Sequence, residues 1–316
     1  PVCVLAPITG WAVYISGLLI GMGPIVDKAG AMALFIKSIP FNFYAILSFL
    51  MVAFVALEFI PDFGPMRKAE RRAIETGQVL RPRSTPIMGA ELTSLSASER
   101  GKPNIWLNFY APVFIVIMVN IGTFVAKGQA RVLDSFMLAT IFLGTVMFFQ
   151  KVDNLAGLLK SIQAGIKGVM PAILILSFAY AINTVSREMG TAQYVVEISR
   201  EWFNPGLLPV LVFLISAFIS FATGTSWGTY AIIIPIAVPL AFEFSDGQAT
   251  LLVLTTIAAS AGGGVFGDHC SPLSDTTVLS SLGSACDHMD HVKTQIPYAL
   301  TVAATASVFY IMLGLF

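Results

Sequence analysis

Residues 262–281 read GGGVFGDHCSPLSDTTVLSS. Asp268 and Asp275 stand there with His269 and the hydroxyls of Ser271, Ser274 and Thr276, grouped around Pro272. Apolar runs flank the stretch on both sides. A second polar island, TGTSWGT at residues 223–229, adds Thr223, Thr225 and Ser226 between Gly224 and Gly228. Carboxylates and hydroxyls are the oxygen ligands that hard cations prefer. An ionised Asp at the centre of a bilayer costs at least about 2.5–3.5 kcal/mol. No Lys or Arg lies between Arg200 and Lys293 to offset that cost, so a partner from this stretch would be His269 or a bound cation. Burial without a cationic partner favours the neutral acid. Such a group holds a proton near neutral pH and releases it to a competing cation. Asp268 and Asp275 are therefore the expected sodium ligands and proton carriers, with Thr225, Ser226, Ser274 and Thr276 completing the oxygen set. Thr223 and Ser271 support it. His269 either relays protons and senses pH or hydrogen-bonds a carbonyl and does nothing more.

The elements that must position these groups follow from composition. Of 316 residues, 56% are hydrophobic and 11% charged, against about 25% charged in ordinary soluble domains. Mean hydropathy is +0.81. That balance excludes a water-facing surface over most of the chain and predicts an all-α polytopic membrane protein. Lys plus Arg and Asp plus Glu both number 18, and no basic stripe is present, so nucleic acid is excluded as a partner. Cys3, Cys270 and Cys286 lack paired spacing and read as small apolar residues. Uncharged apolar stretches occupy residues 1–26, 38–57, 103–126, 135–150, 168–186, 202–242, 247–267 and 294–316. The stretch at 202–242 is of double length, which predicts eight to nine transmembrane segments. Residues 154–167 and 191–202 carry amphipathic patterns suited either to interfacial helices or to plain connectors. Residues 62–104 form a basic loop holding Arg67, Lys68, Arg71, Arg72, Arg81, Arg83, Arg100 and Lys102. The positive-inside rule assigns it to the cytoplasm as a solvated connector.

Two of the segments should be interrupted. Glycine costs about 1 kcal/mol in a helix interior and proline about 3. Gly224 and Gly228 punctuate the first segment, ahead of Pro235 and Pro239; Gly264, Gly267 and Pro272 punctuate the second. Ser274 or Asp275 is suited to cap the helix that follows. Non-helical backbone at membrane depth is tolerated inside protein or beside a water-filled cavity. Paired interrupted segments point to a transporter's midplane site, whereas the same glycines would also serve close helix packing. Asp287, His288, Asp290 and His291 have a spacing that zinc could use, but their place just before the last apolar run suits a cap or anchor. Asp27 and Glu58 end apolar runs and read as interface residues, and Trp227 as packing or a pocket wall.

The segments GTSWGTYAIIIPIAVPLA, GGGVFGDHCSPLSDTTVLSS and DHMDHVKTQIPYAL, with DFGPMRKAERRA in the basic loop and PVCVLAPITGW at the start, resemble the NhaC-type sodium/proton antiporter family in order and over essentially the whole chain. The resemblance implies a longer protein with inverted structural repeats. Residues 1–61 would then be helices ending the first repeat, 62–104 the cytoplasmic loop, and 105–316 the transport domain of the second repeat with its broken helices. The chain opens at Pro1 inside an apolar run, so further residues are expected ahead of it. The resemblance implies exchange of sodium for protons in the cell (inner) membrane, with no cofactor. The partners expected are sodium ions, protons, the lipid bilayer and a second copy of the chain in a homodimer. Relatives that exchange carboxylates such as malate and lactate, or that move amino acids, keep a second substrate class open. An intramembrane aspartyl hydrolase is disfavoured, because Asp268 and Asp275 lie about 10 Å apart along an unbroken helix and Val265 breaks the Gly-x-Gly-Asp signature. No enzyme activity is expected. A channel would be distinguished by single-channel currents.

Overall fold

The structure is a computed structural model that describes residues 1–7, 9–86, 103–127, 131–152, 154–190, 194 and 204–314. Twelve α-helices are present among the described residues and no strand pairs with another as a sheet. They are α1 (Gly10–Leu19), α2 (Lys28–Ser38), α3 (Phe43–Ala56), α4 (Gly64–Thr76), α5 (Ala111–Lys127), α6 (Val132–Phe149), α7 (Leu155–Glu188), α8 (Leu208–Thr223), α9 (Ser226–Glu243), α10 (Leu251–Cys270), α11 (Asp275–Gly283) and α12 (His288–Gly314). By length and composition, five helical stretches can cross a membrane, or up to six if a bent pair is one span. Two shorter apolar helices, α1 and α8, accompany them. The chain is an all-α polytopic membrane protein.

The chain divides into two compact units, residues 89–170 and residues 1–88 with 171–316. In the first, α5 follows a π-helical turn at Trp106–Tyr110 and packs against α6, where Asn120 Nδ2 donates to Ser135 Oγ at 2.9 Å. Phe114, Ile121, Phe136 and Ile141 are exposed around both helices, the pattern of helices facing lipid. Residues 154–167 are not a separate interfacial helix. They continue without interruption into α7, which carries Pro171 in its interior. Residues 191–202, apart from Tyr194, lie outside the described residues.

The second unit contains every residue singled out for chemistry. Local capping sets its helix starts. Thr9, Asp27, Asn42 and Ser274 accept backbone N–H bonds from Ala12, Gly30, Ala45 and Thr276, which satisfies donors that the first turn leaves free. Asp27 is thus a cap. Pro40 sits in a 3₁₀ turn at Ile39–Phe41, and α2 and α3 bend by 51° across it. The chain breaks there too, at a point with no counterpart among the expected interruptions. In the basic loop, α4 is an ordered helix, ended by Gly77 in the left-handed conformation. Residues 87–102 lie outside the described residues.

α10 is the central helix, packed on α8, α9, α2, α3 and α12. Its glycines do not break it. α10 runs unbroken through Gly264 and Gly267, and α9 runs through Gly228, Pro235 and Pro239. A β-carbon at Gly263 would collide with the Phe213 carbonyl, one at Gly264 with the Tyr230 ring, and one at Gly267 with the Phe221 backbone nitrogen. These glycines let α8 and α9 approach the α10 backbone, and the packing offsets the intrinsic helix cost. Ser220 Oγ donates to the Gly264 carbonyl at 2.6 Å across that contact. Two interruptions, among the described residues, fall within the segments expected to carry them. Gly224 ends α8 with φ 72°, in the left-handed region. The other lies between Cys270 and Asp275, where Pro272 cannot supply a helical N–H.

Candidate functional site

The two breaks touch. A β-carbon added to Gly224 would lie 2.8 Å from the carbonyl carbon of Leu273. Around this contact the structure gathers groups from four segments. Asp268, in the last turn of α10, is buried with 7% of its surface exposed. Ser226, the first residue of α9, donates to its Oδ2 at 2.8 Å. Ser274, the N-cap of α11, donates to its Oδ1 at 2.6 Å. Trp11 of α1 donates from Nε1 to Ser226 Oγ at 3.2 Å. None of the salt bridges among the described residues reaches Asp268. A buried carboxylate whose oxygens are held by two serine hydroxyls is therefore the centre of the cluster.

The other residues named from the sequence divide into two groups. Thr276 joins the cluster through Ser274, with their hydroxyl oxygens 3.0 Å apart. Thr225 precedes Ser226 as the half-buried N-cap of α9, and Asp275 heads α11, also half-buried. Two hydroxyls serve the backbone instead. Thr223 Oγ1 donates back to the Ile219 carbonyl at 2.8 Å, and Ser271 Oγ accepts from Leu273 N at 3.1 Å inside the break. His269 is bracketed. Its Nε2 pairs with the Tyr44 hydroxyl, while Gln295 Nε2 donates to its carbonyl at 2.7 Å and contacts Nδ1. No hydrogen bond joins its ring to Asp268 among the described residues.

Trp11, Tyr44 and Gln295 were not legible as site residues, and His288 was legible only within a stretch suited to a cap or anchor. Trp11 reaches Ser226 because α1 packs on the start of α9, where Trp227 stacks against Trp11 and Tyr14 with ring centroids 5.2 and 4.7 Å apart. Trp227 is thus a packing residue. Tyr44 and Gln295 hold His269 from α3 and α12. His288 bonds Ser281 Oγ through Nδ1 at 3.0 Å and the Pro272 carbonyl through Nε2 at 2.8 Å, so it clamps the second break. The signal for Trp11, Tyr44 and Gln295 was a polar or aromatic residue inside an apolar segment, with its partner elsewhere in the sequence.

The segment around residues 287–291 works as a cap and anchor. Asp287 accepts from Asp290 N at 3.0 Å and from Thr85 N at 2.8 Å. Arg81 Nε lies 3.0 Å from Asp290 Oδ2. Burial alone would raise the Asp287 carboxyl, but the N–H groups of Thr85 and Asp290 and the charge of Arg81 together hold it below its ordinary value. Among the described residues, no group of three metal-ligating side chains forms there or elsewhere.

Comparison with known proteins follows the same pattern. An uncharacterized protein of Haemophilus influenzae is 33% identical over 340 residues, covering 99% of this chain and 61% of its own length. An uncharacterized Na+/H+ antiporter of the same organism is 24% identical over 222 residues, 70% of this chain and 46% of the relative. The malate-2H+/Na+-lactate antiporter of Bacillus subtilis is 30% identical over 158 residues, 49% of this chain and 32% of the relative. The chain thus spans between about a third and about three fifths of the length of these relatives. No solved structure matches it. The sequence profile of the Na+/H+ antiporter family matches residues 2–315: the chain belongs to that family.

Proposed function

We propose that the protein is a secondary antiporter of the inner membrane that exchanges sodium for protons, with Asp268 as the carboxylate both ions share. The observation that carries this reading is a buried Asp268 held by Ser226 and Ser274 where two helix breaks meet, with no salt bridge to it among the described residues. The hydrogen bonds to an ionised acceptor contribute roughly 1.5–3 kcal/mol each, comparable to the insertion cost of the charge at membrane depth. The hydroxyls favour the ionised form while burial favours the acid, and this opposition is what a carrier requires. In the proton-loaded state the acid is neutral. In the cation-loaded state Asp268 is ionised, and lone pairs of Ser226, Ser274 and Thr276 turn towards sodium. Asp275 and Thr225, at the mouths of α11 and α9, complete the oxygen set. Loading one ion expels the other, and alternating exposure of the site converts competition into exchange. The loop at residues 62–104 faces the cytoplasm in this reading, and the chain works as a transporter and not as an enzyme.

A second reading is supported by the relative named as a malate/lactate antiporter and by one of Halobacterium salinarum named as an arginine/ornithine antiporter. In that reading a small carboxylate or amino acid moves with sodium or protons. Dye-monitored proton flux in proteoliposomes of the full-length protein separates the two, with sodium, lithium, potassium and malate as challenges. Sodium should drive proton movement in the parent protein and fail to do so in Asp268→Asn. Retained exchange in that variant overturns the assignment of Asp268. Flux driven by malate and not by sodium selects the second reading.

A further inference from the structure

The carboxylate of Asp268 has two hydrogen-bonded exits, and they end differently. From Oδ2 the chain runs through Ser226 Oγ to Trp11 Nε1. The indole N–H is a donor only and accepts nothing, so that branch stops. From Oδ1 the chain runs 2.6 Å to Ser274 Oγ and 3.0 Å onward to Thr276 Oγ1. Thr276 is exposed and forms part of the wall of a cavity of about 410 Å³. Hydroxyl groups both donate and accept, so this branch can pass a proton along its length. The cavity wall is mostly apolar, and Ser280, His291 and Gln295 are polar groups within it. Gln295 Oε1 is buried with no hydrogen-bond partner among the described residues, and an unpaired buried acceptor is a place for water. A liquid-water share of about 30 Å³ gives this volume room for on the order of ten waters.

We infer that Ser274 and Thr276 form the proton wire of Asp268, and that the cavity beside α11 and α12 is its aqueous mouth. The inference rests on the proposal that Asp268 carries the proton. The wire is oriented for delivery. Thr276 N donates to Ser274 Oγ at 3.2 Å, which occupies an acceptor position on Ser274 and leaves its one hydrogen on Asp268. A hydronium in the cavity gives a proton to Thr276 Oγ1 and becomes water. Thr276 passes its own hydroxyl proton to Ser274, and Ser274 passes its own to Asp268 Oδ1. Both hydroxyls end neutral, the carboxylate ends as the acid, and one proton has moved inward. His269 also borders the cavity, but its ring is engaged by Tyr44 and Gln295 and lies off this path.

Thr276→Val keeps the side-chain shape and removes the hydroxyl, and Thr276→Ser restores it. In proteoliposomes of the full-length protein, Thr276→Val should cut the maximal sodium-driven proton flux about tenfold or more, read at saturating sodium so that a lost sodium ligand is overcome. Thr276→Ser should recover the flux. Ser280→Cys should react with a membrane-impermeant thiol reagent, and the modification should slow proton flux beyond any effect on the parent chain treated alike. Parental maximal flux in Thr276→Val with only a raised sodium KM overturns the inference, and so does a loss of flux that Thr276→Ser does not restore, or an unreactive Ser280→Cys. If Asp268→Asn abolishes exchange while Thr276→Val leaves it intact, the wire falls and the carrier role of Asp268 stands. If Asp268→Asn exchanges normally, the carrier role itself falls.

Discussion

Replacing Ser226 by Ala isolates what one hydroxyl does for the shared carboxylate. Ser226 is fully buried and donates to Asp268 Oδ2 at 2.8 Å. A methyl group there leaves Oδ2 with no donor from α9. A hydrogen bond to an ionised acceptor contributes roughly 1.5–3 kcal/mol and one to a neutral acceptor roughly 0.5–1.5, so the substitution disfavours the ionised form by about 1–1.5 kcal/mol relative to the acid. In the proposed mechanism sodium competes with the proton for that ionised form. At fixed pH the apparent KM for sodium should therefore rise about five- to twelvefold, since 1.4 kcal/mol is a factor of ten. The rise is larger if the hydroxyl also lends a lone pair to the cation. The maximal rate at saturating sodium should change little, because excess sodium restores the ionised form. A sodium titration of dye-monitored proton flux in proteoliposomes reads both quantities. Trp11→Phe is the control: it removes the donor that contacts Ser226 Oγ without touching Asp268, and its KM should stay near the parental value. An unchanged sodium KM in Ser226→Ala, with the protein folded and reconstituted, refutes the reasoning. So does an equal rise in Trp11→Phe.

Three further outcomes follow from the geometry. Gly267→Ala should destabilise the protein by about 1–3 kcal/mol, the usual effect of overpacking, because its β-carbon meets the backbone of α8; Gly122→Ala, with nothing within 4 Å, should be neutral or stabilising, and thermal melting in detergent compares the two. Gly224→Ala should be damaging twice over, by about 1–2 kcal/mol for its left-handed backbone and by its clash with Leu273, 2.8 Å away; the same melt and the exchange assay should both register it. The Asp287 carboxyl is depressed in the folded protein, so its contribution to holding residues 81–86 is complete above its unfolded pKa of about 3.9 and is lost as pH falls through the lower folded value. Hydrogen exchange at Thr85, corrected for intrinsic rates, should accelerate on acidification below that range, and Asp287→Asn should show the faster exchange already at neutral pH.

The sequence disclosed the parts of this site whose causes are local. Pro272 forbids a helix through its own N–H, and Ser274 caps the next helix with its own side chain, so both read directly from a few residues. Gly264 and Gly267 did not, because a glycine looks the same whether it ends a helix or admits a neighbour. Only the position of α8 and Tyr230 decides between those roles, and that is a tertiary fact. Pro40 carried the same local signal as Pro272 but lay in a run otherwise suited to one continuous span. Trp11, Tyr44 and Gln295 were hidden for a different reason. Each meets its partner across a helix crossing, and Trp11 and Ser226 are separated by 215 positions. The hydroxyl count near Asp268 overstated the cluster, since Thr223 and Ser271 turn their oxygens or lone pairs to the backbone.

The seat of Gly224 against Leu273 has a mechanical consequence. The two chain reversals leave no gap between them, so neither can slide while the other stays still. α8, α9, α10 and α11 all begin or end at this knuckle, and Asp268 hangs from it through Ser226 on one side and Ser274 on the other. On the proposed carrier role of Asp268, exchanging one ion for another at that carboxylate would pull on all four helices together.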